Sequence, residues 1–143
     1  MFQPSQHDAR RFFCEAWRKQ RDGLVLEPME ALAGSWIAEH PEYHAELADL
    51  EAALERRYTA EDGRENPFLH LAMHLSIAEQ CGIDQPAGVR AAIEHLAARR
   101  GGLHAAHHEA MECLGEMIWH SQRSGLPPDG LAYLDALRRR AKG

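Results

Sequence analysis

Three His-x-x-x-His pairs punctuate this chain, His40/His44, His70/His74 and His104/His108, and His108-x-x-x-Glu112 extends the last of them. Residues four apart on an α-helix share a face. Neutral imidazole is the commonest metal ligand, and helical bundles build metal sites from such facing pairs. The expected chemistry is therefore coordination of a metal by His and Glu side chains.

The spacing places two of the pairs within helical faces. With His104 at zero, His108 lies at about 40°, Met111 near −20°, Gly115 near 20° and Ile118 near −40°, with Trp119 and Leu114 flanking. Both imidazoles are thus expected inside the apolar face. Glu112 borders it, and His107 is a further candidate on its other side. The same count puts His70 and His74 among Ile77, Cys81 and Met73. A buried polar group left without a partner costs roughly 1–3 kcal/mol. The imidazoles therefore need either a metal or protein acceptors. The first pair differs: Pro41 follows His40, which makes His40 a cap, and His44 falls between the Leu47/Leu50/Leu54 stripe and Glu51. The candidate ligands are His44, His70, His74, His104, His108 and Glu112.

Short Pro and Gly signals divide the chain into the helices that must position these residues. Ser5 is expected to cap a helix over Gln6 to Arg21, ended by Asp22-Gly23. Pro28 and Pro41 fit the first turns of the next two, the latter continuing through Leu47, Leu50 and Leu54. Glu61 to Glu65 reads as a polar turn. Asn66 caps a fourth helix with Pro67 at its first position, stopping near Cys81-Gly82. A fifth begins around Asp84-Gln85-Pro86 and breaks at Gly101-Gly102. A sixth runs from Leu103 to about Gln122. A last helix carries Leu131, Leu134 and Leu137 after a loop from Ser124 to Gly130. No segment alternates as a strand must. The expectation is an all-α, compact antiparallel bundle of about four main helices with shorter flanking ones.

A chain of 143 residues is expected to form a single helical domain over residues 1–143, large enough for a core without disulfides. Sixteen Lys and Arg stand against 22 Asp and Glu, a formal charge of −6. That disfavours a nucleic-acid partner, which needs a basic stripe. The basic run Arg138-Arg139-Arg140 instead complements a helix C-terminus. Cys14, Cys81 and Cys113 are odd in number and lack metal-ligand rhythm, as expected of reduced thiols in the cytoplasm. No apolar stretch approaches a membrane span, and residues 1–8 do not read as a signal peptide. No Walker loop, nucleophile elbow or zincin motif occurs.

Whole segments resemble a proteobacterial family known as domain of unknown function 1841. They are His40-Pro41-Glu42-Tyr43-His44, Asn66 to His74 with Glu79-Gln80, Met111 to Trp119, and Pro128-Asp129. That family implies no activity. A looser resemblance is to hemerythrin-like bundles, whose His-x-x-x-Glu and His-x-x-x-His motifs surround two irons. Here His108/Glu112 and His70/His74 have those spacings in reversed order, without a closing His-x-x-x-x-Asp. Bundles of the damage-inducible type, with three histidines around one divalent metal, are similar to the same degree.

The expected cofactor is a divalent transition metal, Fe or Zn, with diiron among the forms that five or six N/O ligands would favour. Three functions remain open: iron-dependent redox or oxygen handling, a mononuclear metalloenzyme using metal-bound water, and a non-enzymatic interaction module without metal. The small-molecule ligand is open, as is a homodimer.

Overall fold

The computed structural model describes residues 6–58 and 66–143. Among them every regular element is helical, so the fold is all-α. The expected cap Ser5 and the turn Glu61–Glu65 lie outside the described residues. The chain divides into two compact units, one ending at Leu75 and the other spanning Ser76–Gly143. Each is built around its own set of buried side chains.

In the first unit, α1 (Gln6–Arg21) packs on α2 (Pro28–Ala38). Gly23 takes a left-handed φ of 68° just after α1, and the Leu24 amide donates back to the Lys19 carbonyl at 2.9 Å. These bonds satisfy carbonyls that a helix end leaves open. Pro28 opens α2, and the Glu27 amide donates to the Glu30 carboxylate at 2.9 Å. Glu30 is also bound by Lys19 at 2.9 Å, which ties the two helices at their near ends.

The expected single helix from Pro41 to Leu54 is instead three pieces. A 3-10 turn covers Pro41–Tyr43, followed by α3 (His44–Leu47) and α4 (Leu50–Glu55). The break has a local cause. Asp49 is extended, and its carboxylate accepts the Ala52 amide at 3.2 Å, so it starts a new helix where the old one would have continued. Phe13, Ile37, Leu47, Leu71 and Leu75 are buried within this unit. Each contributes roughly 1.5–3 kcal/mol by leaving water.

α5 (Pro67–Ile83) runs through the boundary at Leu75. Asn66 starts it as expected, its Oδ1 accepting from the amides of Phe68 at 3.0 Å and Leu69 at 3.2 Å.

In the second unit, α6 (Val89–Arg100), α7 (Leu103–Ser124) and α8 (Gly130–Lys142) pack on one another. The Asp84 carboxylate receives the amides of Gly88 at 3.2 Å and Arg90 at 3.0 Å, so the turn after α5 is closed before α6 begins. Gly101 ends α6 in a left-handed conformation. Asp129 caps α8 through the Ala132 amide at 3.0 Å. Ile93, Leu96, Leu114 and Leu137 fill the interior. There the Tyr133 hydroxyl donates to Gln80 Oε1 at 2.8 Å. Among the described residues no helix is long and apolar enough to cross a membrane.

Candidate metal centre

In the first unit three imidazoles gather beside two larger aromatic rings. His40 sits between the end of α2 and Pro41, with φ −127° and ψ 66°. The proline ring disfavours helical geometry at the residue before it, so His40 leaves the helical path. Its Nδ1 meets the Trp36 carbonyl at 2.7 Å. A carbonyl only accepts, so Nδ1 carries the hydrogen, and a neutral ring then keeps its lone pair at Nε2. This arrangement, one ring nitrogen bonded to a backbone carbonyl and the other left as donor, is typical of metal-binding histidines.

His70 and His74 stand one turn apart on α5, ring centroids 4.9 Å apart and edge to face. The His40 ring lies 5.0 Å from His70 and 4.9 Å from His74. His40 and His74 can each offer a ring nitrogen within 4.8 Å of the other. Both are buried. Trp36 stacks on His74 at 4.1 Å, and Tyr43 stacks on His40 at 5.2 Å. These two faces fix the planes of the imidazoles and limit water around them.

His44 has a different environment. Its Nε2 donates to the Ile37 carbonyl at 2.9 Å, and its ring packs on Trp17 at 4.2 Å. Of the first His pair, His40 joins the imidazoles of α5, while His44 ties α3 to α2.

In the second unit, His104 and His108 bring their Nε2 atoms within 3.1 Å. The expectation that both lie inside the apolar face of α7 is corrected: His104 is half-buried and His108 exposed. Ile118 and Trp119 are exposed too, at 40% and 51%. The buried arc instead runs through Ala106, His107, Ala110, Met111 and Leu114. Alanines and His107 set it off from the stripe centred on His104. Burial, with the charges of His104 and His108 beside it, lowers the His107 pKa to about 4, so His107 is a neutral interior side chain at physiological pH. Glu112, also exposed, pairs with Arg140, which lies 3.8 Å from Glu109 as well.

His40 and His74 are among the histidines that could hold a metal ion. The cysteines offer no competing nucleophile. Burial raises all three thiols, Cys14 to about 11, and a protonated thiol is a poor attacker. Sequence reasoning assigned His40 to a cap, and the structure places its ring beside those of His70 and His74. The His40/His44 spacing marks the pair, but which member turns toward α5 depends on the Trp36 carbonyl.

The chain belongs to the family described as domain of unknown function DUF1841, whose model matches residues 5–139. No curated protein and no solved structure matches it, so the looser likeness to hemerythrin-like bundles gains no support from these comparisons.

Proposed function

We propose that this protein holds one divalent transition-metal ion on imidazoles of the first unit, those of His40, His70 and His74, and that the resident ion is zinc. The observation that carries this reading is the hydrogen bond from His40 Nδ1 to Trp36, which leaves a buried imidazole with its donor lone pair at Nε2. The second support is the gathering of the three rings, whose centroids lie 4.9–5.0 Å from one another.

The ligand chemistry selects the metal. A diiron centre needs bridging carboxylates, and Glu112 is engaged by Arg140. An imidazole-only set suits zinc or copper, and three histidines hold a tetrahedral zinc with its fourth position open. The ion would cross-link the end of α2 to α5, segments distant in sequence. Iron-dependent oxygen handling is the less favoured reading.

Cobalt(II) replacement tests the geometry. Apo protein titrated with cobalt should develop the intense visible bands of a tetrahedral site at one equivalent, and His74→Ala should abolish them. Weak bands of an octahedral ion, or bands unchanged in that variant, would overturn the site.

A further inference from the structure

A second constellation lies within the first unit and uses none of the histidines assigned to metal. A pocket of about 570 Å³ opens between the start of α1 and the end of α4, lined among others by His7, Arg10, Glu55, Arg56, Arg57 and Tyr58. We propose that this pocket binds the phosphate group of a small anion, either free phosphate or a phosphate monoester.

Arg10 is the anchor. It is only 5% exposed, an uncommon position for a guanidinium. Its Nη1 donates to the carbonyls of Ala53 at 2.8 Å and Arg56 at 2.6 Å. Those carbonyls belong to the end of α4, where a cation is favoured. That accounts for one nitrogen of the three. Nε is buried without a hydrogen-bond partner, and no carboxylate among the described residues pairs with Arg10. The group is bordered on one side by Tyr58 and Phe68, each ring centroid 5.4 Å from its central carbon and the two 6.3 Å from each other. A planar guanidinium fixed in this way, with donor capacity left over, is what recognises oxyanions by paired hydrogen bonds.

The surrounding charge has the same sign. Arg57 is exposed, while Arg56 shares its charge with Glu46 at 3.5 Å. Among the described residues Glu55 is the one acidic side chain of the lining. His7 Nε2 donates to the Leu54 carbonyl at 3.2 Å, which fixes the ring at the pocket edge with Nδ1 as its second nitrogen. A chain of net charge −6 thus concentrates three arginines around one concavity. A phosphate monoester carries a charge of about −1.5 to −2 near neutral pH, which suits that excess better than a monovalent carboxylate does.

Two exposed residues of opposite sign provide the test, since neither replacement disturbs a buried contact. Inorganic phosphate is titrated calorimetrically into the full chain at constant ionic strength, with phenyl phosphate as the ester probe. Wild type should show saturable binding at one site. Arg57→Gln should weaken it about tenfold, and Glu55→Gln should strengthen it severalfold. Tighter binding of phenyl phosphate would identify an ester as the ligand, and tighter binding of the inorganic ion would identify free phosphate. Heat that never saturates, or affinity equal in wild type and both variants, would overturn the proposal. A sulfate titration with the same affinity and the same response to both variants would also overturn it, because the pocket would then hold an adventitious ion only.

Discussion

The fate of each histidine is decided by which of its two nitrogens the backbone occupies. His40 gives Nδ1 to Trp36 and keeps Nε2, whereas His44 gives Nε2 to Ile37. The two members of one His-x-x-x-His pair should therefore respond differently to substitution. His40→Ala should lower zinc occupancy severalfold. His44→Ala should leave occupancy intact and cost about 1 kcal/mol through its lost hydrogen bond, read from the denaturation midpoint. Glu112 offers a third contrast. Glu112→Gln should keep full metal content and change stability by no more than about 1 kcal/mol, because it removes an exposed ion pair. Reduced metal content in that variant would return Glu112 to the ligand set. The spacing of the histidines was legible from sequence alone. Their tautomers were not, because these depend on carbonyls placed by the exact end of α2.

Helix boundaries were the most legible level, wherever a proline, asparagine or glycine carries a backbone reason. α1, the start of α5 at Pro67 and the break at Gly101-Gly102 fall where the residues indicated. Asp49 was missed because a capping aspartate inside an amphipathic run looks like an ordinary polar position until its carboxylate takes an amide. The face of α7 was misjudged for another reason. Periodicity sets the angles between residues, but apolar side chains ring this helix, and small alanines admit closer neighbours than Ile118 and Trp119 do. Two element-scale predictions follow from the turn before α6. Gly88 has φ 99°, and an added Cβ would lie 2.9 Å from Arg138 Nη2. Gly88→Ala should therefore destabilise by about 1–2 kcal/mol, seen as a lower urea midpoint with unchanged slope. Asp84 accepts the Arg90 and Gly88 amides, which hold its carboxyl below the ordinary 3.8. A depressed carboxyl stabilises the fold above its ordinary pKa, and that contribution is lost as pH falls through the folded value. The stability gap between wild type and Asp84→Asn should be full above pH 4 and close below it. A gap independent of pH would mean the charge is not involved.

At the scale of the molecule, membership of the DUF1841 family and the all-α fold leave the activity open, and the account rests on the histidines. The described residues form two compact units, and the three imidazoles of His40, His70 and His74 gather within the first. Metal affinity falls in acid because ligand imidazoles must be neutral, so chelator and a shift toward pH 5 should each lower the melting temperature of zinc-loaded protein. The most direct test is elemental analysis of the untagged full chain purified from zinc-supplemented cells, beside a His40→Ala/His74→Ala double variant that remains helical. The account predicts one zinc per wild-type chain and a loss of most of it in the variant. Metal-free wild type, or a variant that keeps its full complement, would contradict it.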